Sequence, residues 1–259
     1  SRPVYFQPSR NGYGMIGLIP PKRFTREHIQ GLIKASPLTA GAKSGEPVHA
    51  VVTNTTYDGI LYNVDKVAEL LADSVPRVHF DEAWYAYGKF HPLYKHRFAM
   101  GVPQDMKNRP TVFSVQSTHK MLPAFSMASY IHVSNSERGA IAWSPLKEAF
   151  MMHGTTSPFY PLIASLDIAS AMMDEPTGPV LLEETIRYAV DFRRRVAAVA
   201  ERFRKDGVLN HIAGEAVNAA DGSTFETVSP IDLKPLARVA HGKAADIDRA
   251  AKAAKAAFR

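Results

Sequence analysis

The sequence predicts an α/β fold built on a parallel sheet, and three observations predict it. An apolar run at 48–53, an amphipathic stretch at 63–72 and a second apolar run at 75–80 make a strand–helix–strand unit, which sets two strands parallel under a covering helix. Two further apolar runs, 111–115 and 128–133, supply more strands. From Ser144 onward the pattern turns helical. With 259 residues, 46% of them hydrophobic and 22% charged, the chain can bury a sizeable core in one large domain or two smaller ones.

Each element has its own signal. The first strand reads Val48-His49-Ala50-Val51-Val52-Thr53, and the helix at 63–72 turns Val64, Val67, Leu70 and Leu71 inward. Strand 75–80 ends in His79-Phe80, with Asp81 next. Pro103-Gln104-Asp105 and Ser134-Asn135-Ser136 are turns beside the later strands. A long helix over about 180–205 repeats Leu182, Ile186, Ala189, Val196, Val199 and Phe203 at the 3.6 period. Asp206-Gly207 closes it, because glycine takes the left-handed conformation a helix end favours. In the tail, Asp221-Gly222 between two short apolar runs predicts a β-hairpin, and 244–258 predicts an alanine-rich helix with Ile247, Ala251, Ala254 and Phe258 on one face. A hairpin and helix of that size have little core of their own and need a partner surface.

Two phrases carry the chemistry. Asp81-Glu82-Ala83-Trp84 puts a carboxylate at the end of one apolar run, and Ser117-Thr118-His119-Lys120 puts a lysine just after another. Pyridoxal phosphate is held by such a pair: the lysine forms the Schiff base, and a carboxylate facing the pyridine nitrogen keeps it protonated so that the ring acts as an electron sink. Ligands of open α/β sheets gather at the carboxyl ends of strands, where both groups would emerge. Taken singly, each residue has a plainer reading. A lysine is usually a solvated charge, a tryptophan is more often core than pocket, and Thr155-Thr156-Ser157-Pro158 has the composition of a helix cap or turn.

Residues 1 to about 204 resemble the prokaryotic lysine/ornithine/arginine decarboxylases. The matching phrases run in the family's order: Pro3-Val4-Tyr5-Phe6 with Arg10-Asn11-Gly12-Tyr13-Gly14, Thr53-Asn54-Thr55-Thr56-Tyr57-Asp58-Gly59, His79-Phe80-Asp81-Glu82-Ala83-Trp84, Gln116-Ser117-Thr118-His119-Lys120, and Met151-Met152-His153-Gly154-Thr155-Thr156-Ser157-Pro158. The continuation through Tyr85-Ala86-Tyr87 to Pro92-Leu93-Tyr94 is similar to the lysine decarboxylases of pseudomonads and their relatives. The resemblance implies part of the large domain of pyridoxal-phosphate fold type I, the aspartate-aminotransferase-like fold. It implies decarboxylation of a small basic amino acid, lysine first and then arginine or ornithine, in a homodimer or higher homo-oligomer. Position by position, Lys120 would carry the cofactor, Asp81 would face its pyridine nitrogen, Ser117 would donate to its phosphate and His119 would sit beside the lysine. Trp84 would line the substrate cavity, and Thr155 or Thr156 would reach the phosphate of a neighbouring subunit.

In the resembled family a ring-stacking histidine and a Ser/Thr-rich phosphate loop precede the segment like Pro3 to Phe6, so the chain is expected to be an incomplete copy. From about 208 a second resemblance begins, to the amino-terminal arm of aldehyde dehydrogenases. Its phrases are Ile212-Ala213-Gly214-Glu215, Thr224-Phe225-Glu226-Thr227-Val228-Ser229-Pro230, Leu236-Ala237-Arg238-Val239-Ala240 and Asp246-Ile247-Asp248-Arg249-Ala250, with Ala256 and Phe258. Ala216 stands where that family usually has an aromatic, and the chain has no cysteine to serve as its nucleophile. The expected domains are therefore 1–204 and 205–259. Two functions stay open: a pyridoxal-phosphate decarboxylase present in part, and a non-catalytic module that folds or oligomerises.

Composition narrows the partners. The net charge of +6 and pI near 9.4 could suit nucleic acid. Its main basic cluster, Arg193-Arg194-Arg195, falls on the polar side of the periodic helix, and neither an aromatic RNA-binding signature nor zinc spacing occurs. The absence of cysteine excludes disulfides and thiolate metal sites and suits a reducing compartment. No run of about 18 apolar residues exists, and residues 1–20 lack a secretory pattern. A cytoplasmic protein without bound metal, nucleic acid or membrane contact is expected.

Overall fold

A computed structural model of the chain describes residues 2–229 and 234–258, and the chain divides into two units between Glu183 and Glu184. The first unit opens with α1 (Arg26–Ala35), whose N-cap Thr25 accepts from the His28 N–H. Then follow β1 (Ala50–Thr53), α2 (Val64–Ala72), β2 (Arg77–Asp81), β3 (Thr111–Gln116), the single turn α3 (Thr118–Met121), β4 (Tyr130–Ser134), α4 (Trp143–His153) and α5 (Tyr160–Met172). The division falls within α6 (Thr177–Asp206).

The sheet runs β1-β2-β3-β4, with the first three strands parallel and β4 antiparallel to β3. In the β1–β2–β3 register, Val52 lies beside Phe80 and Phe80 beside Ser114. That face buries Val52, Val78, Phe80 and Val112 under Val64, Val67, Ala68 and Leu71 of α2, with Phe24 and Ile29 closing the cluster. Each fully buried side chain of this size contributes roughly 1.5–3 kcal/mol. The opposite face carries His79, Asp81, Phe113, Val115, Val51 and Ile131, the last two more than half exposed.

Several boundaries differ from the expected ones for local reasons. The second strand starts at Arg77, two residues late, because Pro76 has no N–H to donate and instead offers its carbonyl to Thr111 N–H at 2.9 Å. Strand β1 starts at Ala50, opposite Val78, leaving Val48 exposed. In β4, Ala128 stays out of the ladder because its carbonyl accepts from His119 N–H at 3.2 Å. Helix α6 ends at Asp206 with Gly207 at φ +75°, its N–H bonded to Phe203 C=O, as a left-handed helix end requires. The apolar stripe of α6 is half-buried at Leu182 and Ile186 and exposed further on at Val196, Val199 and Phe203, as are Arg193, Arg194 and Arg195.

The second unit holds two hairpins, where the sequence predicted one at Asp221-Gly222. β5 (Asn210–Ile212) pairs with β6 (Glu215–Val217), and β7 (Thr224–Val228) pairs with β8 (Pro235–Ala240). The first turn is Ala213-Gly214, both at positive φ, which suits a two-residue connection. At the expected position, Asp221 instead accepts from the N–H and hydroxyl of Ser223 and pairs with Lys243 Nζ at 2.6 Å. That side-chain turn redirects the chain without pairing its flanks. Pro230, part of the aldehyde-dehydrogenase-like phrase, lies outside the described residues. The alanine-rich helix forms as α7 (Ala244–Ala257), and Ile247, Ala251, Ala254 and Phe258 are exposed on it. The helix is anchored instead by buried Asp246, which accepts from Ala220 N–H at 2.9 Å and Lys243 N–H at 3.1 Å.

Candidate active site

Because β1, β2 and β3 are parallel, their carboxyl ends reach one edge of the sheet, and there the two chemical phrases meet. Asp81 is the last residue of β2, in register with Thr53 and Val115. Side chains alternate along a strand, so Asp81 projects on the half-open face while the next residue, Glu82, turns into the core. Asp81 Oδ1 accepts from Ala83 N–H at 3.1 Å, which fixes the turn leading to Trp84.

Lys120 leaves the same edge by a short path. Beyond Gln116, Ser117 caps α3 without using its hydroxyl on the helix, so that hydroxyl stays free to donate elsewhere. Thr118 is buried, and its hydroxyl has no protein partner. Lys120 N–H bonds Ser117 C=O at 3.0 Å, and His119 N–H bonds Ala128 C=O at 3.2 Å, so the turn is held from both sides. Lys120 itself is exposed, with Nζ 4.7 Å from the centre of the Trp84 ring. A cation at that distance over an indole face is attracted to it. Tyr57 meets Trp84 edge-on at 5.3 Å.

The structure thus brings Asp81, Trp84, Ser117, His119 and Lys120 to one sheet edge. Thr155 and Thr156 are not joined to them: Thr155 makes a local turn with Ser157, its hydroxyl accepting from Ser157 N–H at 3.1 Å, and Thr156 is exposed. Among the described residues neither threonine has a hydrogen bond to Asp81, Ser117, His119 or Lys120, and no side-chain group suited to a metal ion occurs. No helix is long and apolar enough to cross a membrane among those residues.

Several participants went unread in the sequence. Glu82 is completely buried and accepts four hydrogen bonds, from Asn54, Ala99, Ser114 and Gln116. Burial pushes its carboxyl above the ordinary range while those bonds pull the other way, and burial dominates. The signal available was the Asp81-Glu82 pair at a strand end, where period-two alternation sends one carboxylate each way. Tyr85, Tyr87 and Tyr94 stack edge-on at 5.1–5.7 Å beneath this loop, and burial pushes all three phenols up. On the half-open face burial holds His79 below the ordinary imidazole value, with Asp81 opposing and His49 adding to the effect. Burial and then Lys89 do the same to His132.

The lysine amine, the carboxylate on the adjacent parallel strand, the free Ser117 hydroxyl and the indole beside the amine are the donor set that pyridoxal phosphate takes, so the residues fit that group. Residues 1–228 match the family model of the Orn/Lys/Arg decarboxylase major domain. The chain is 49% identical over 208 residues to the biodegradative arginine decarboxylase of Escherichia coli K12, covering 80% of this chain and 27% of that protein. It is 47% identical over 204 residues to lysine decarboxylase LdcA of Pseudomonas aeruginosa, covering 79% and 27%. Among solved structures, lysine decarboxylase A from Pseudomonas aeruginosa superposes with a TM-score of 0.72 at 42% identity, over 92% of this chain and 32% of that one. Francisella novicida lysine decarboxylase LdcF gives 0.69 at 45%, over 77% and 26%. The chain therefore spans about a quarter of the length of the curated relatives it matches. By the match over residues 1–228 and by the mixed α/β sheet it shares with these structures, the chain belongs to the Orn/Lys/Arg decarboxylase major-domain family.

Proposed function

We propose that residues 1–204 form the cofactor-lysine part of a pyridoxal-phosphate fold type I decarboxylase acting on a basic amino acid in the cytoplasm, as a homodimer or larger homo-oligomer. The reading rests on one observation: Lys120 and Asp81 issue from adjacent parallel strands at one sheet edge, with Trp84 against the amine. Lysine is the favoured substrate, on the resemblance of the stretch from Tyr85 to Tyr94, then arginine or ornithine. An ornithine decarboxylase of Escherichia coli is only 32% identical, against 47% and 49% for the lysine and arginine enzymes.

When bound, pyridoxal phosphate supplies the sink for the electron pair left as carbon dioxide departs. Each residue has a role around it. Lys120 Nζ would hold the cofactor, as the nucleophilic amine of the site. The Asp81 carboxylate would face the pyridine nitrogen and keep it protonated. Ser117 Oγ would donate to the phosphate, His119 would flank the lysine, and Trp84, beside the amine, would line the substrate cavity. Thr155 or Thr156 serves the phosphate of a neighbouring subunit.

The segment 205–259 is proposed as an arm of aldehyde-dehydrogenase type joined near the end of α6. A second reading, a non-catalytic module, is favoured by the apolar side chains exposed on α4 and α5, among them Trp143, Met152 and Tyr160, which suit an assembly surface. One experiment separates the two. The chain is incubated with pyridoxal phosphate, reduced with borohydride and mapped by peptide analysis. A label on Lys120 is expected; a label mainly on Lys89, Lys95 or Lys147, or none, would overturn the decarboxylase reading.

A further inference from the structure

Glu82 follows Asp81 directly, is fully buried and has no part in the chemistry above. Its Oε1 accepts from Asn54 Nδ2 at 2.6 Å and from Ala99 N–H at 2.7 Å. Its Oε2 accepts from Ser114 Oγ at 2.7 Å and from Gln116 Nε2 at 3.0 Å. Asn54 stands one residue past the end of β1, Ser114 and Gln116 close β3, and Ala99 opens the helical turn Ala99–Gly101. One carboxylate therefore joins the carboxyl ends of three parallel strands at the edge where Asp81 and Lys120 emerge.

The surroundings fix these bonds. Asn54 Oδ1 accepts from Tyr62 N–H at 3.3 Å, and its Nδ2 also donates to Arg97 C=O at 2.7 Å, so its amide cannot reverse without losing both. The β2–β3 ladder ends at the pair Asp81 and Val115, followed by one bond from Glu82 N–H to Val115 C=O at 2.9 Å. The bond from Gln116 to Glu82 carries the tie one residue further, to the residue before Ser117. Burying a carboxylate without a cation is costly, and a fully satisfied buried network of this kind specifies geometry.

Resting on the reading of Lys120 as the cofactor lysine, we propose that Glu82 is a positioning residue whose four hydrogen bonds hold the ends of β1, β2 and β3 so that Asp81 and Lys120 face one ligand. It touches neither cofactor nor substrate and acts through the strand ends. Hydrogen-bond geometry rather than charge is what the site needs from it. A glutamine there can still accept from Asn54 and Ala99 while donating to Ser114 Oγ, with the Gln116 amide turning to accept.

The test compares wild type, E82Q and the double variant S114A/Q116A, which leaves the Asn54 and Ala99 bonds intact. Each is labelled with pyridoxal phosphate and borohydride, the share of label on Lys120 among all lysines is mapped, and amide exchange is followed at Glu82 and His119. E82Q should keep the Lys120 share within about threefold of wild type, since the network re-forms. In S114A/Q116A the share should fall by about tenfold, as expected of a small misplacement at a reacting group. The Glu82 and His119 amides should then exchange about tenfold faster as the strand end opens. An unchanged share together with unchanged exchange in S114A/Q116A overturns the proposal, as does a loss in E82Q equal to that in S114A/Q116A. Should the double variant lose its near-ultraviolet circular dichroism, S114A alone decides by the same two readouts. A wild-type chain unlabelled at Lys120 refutes the cofactor reading by itself, and the exchange data still decide the role of Glu82.

Discussion

Replacing Asn54 by alanine should cost the first unit far more than one polar residue suggests. The side chain is fully buried and serves three partners: Glu82 Oε1, Arg97 C=O and Tyr62 N–H. The bond to the carboxylate is worth ~1.5–3 kcal/mol and the two neutral bonds ~0.5–1.5 kcal/mol each, so the loss is about 2.5–6 kcal/mol. For a unit of this size each kcal/mol moves the melting temperature by roughly 2–4 °C, so a drop of about 5–24 °C is expected. Asn54→Asp is the informative companion. It keeps the volume but sets a second carboxylate against Glu82, and two such groups cannot both ionise cheaply. Its deficit should therefore shrink on acidification, as one proton comes to be shared. Thermal unfolding followed by circular dichroism at pH 8 and pH 5 checks both. A melting point for Asn54→Ala within about 2 °C of wild type would refute this, showing that these bonds carry little net energy.

Other outcomes follow from the same geometry. A methyl at Gly139 would lie 2.0 Å from Pro76 C=O, so Gly139→Ala should displace the turn that also receives the Arg77 Nε bond and destabilise by ~1–3 kcal/mol, read as a lower urea midpoint; an unchanged midpoint refutes the clash. His79 and His132 have imidazoles held below the unfolded value, so the stability they contribute is present above that value and is lost as the pH falls through it toward the folded value. Melting temperature should therefore drop less between pH 7 and pH 5 in H79Q/H132Q than in wild type, and equal slopes would count against this assignment. In the tail, few side chains are buried beyond Ile212, Ala219, Ala237 and Ala240, so a protease specific for basic residues should cut after exposed Arg204 or Lys205 and leave a stable larger fragment. A tail that resists cleavage, and whose removal unfolds residues 2–204, would make the two parts one evolved unit.

The sequence alone determined the features that depend on near neighbours. The apolar runs and the 3.6-period helix α2 carried the strand–helix–strand unit, and Asp206-Gly207 marked the end of α6, because a side chain's face and a glycine's left-handed turn are local properties. Asp81 and Lys120 were legible for the same reason, as residues at the ends of apolar runs. The tertiary structure decided whatever depends on a partner far along the chain. Pro76 moved the start of β2 because its carbonyl is claimed by Thr111, and Ala128 left its strand because His119 takes its carbonyl. The tail's chain reversal at Ala213-Gly214, rather than at Asp221-Gly222, was settled by what Asp221 could bind, including Lys243. The exposed Ile247 and Phe258 show that an apolar stripe fixes a face but not whether anything covers it. Glu82 is the clearest case. Its partners lie as far as 28 and 34 residues away at Asn54 and Gln116, and only the parallel alignment of three strands turns an acidic residue in a motif into the buried junction of the site.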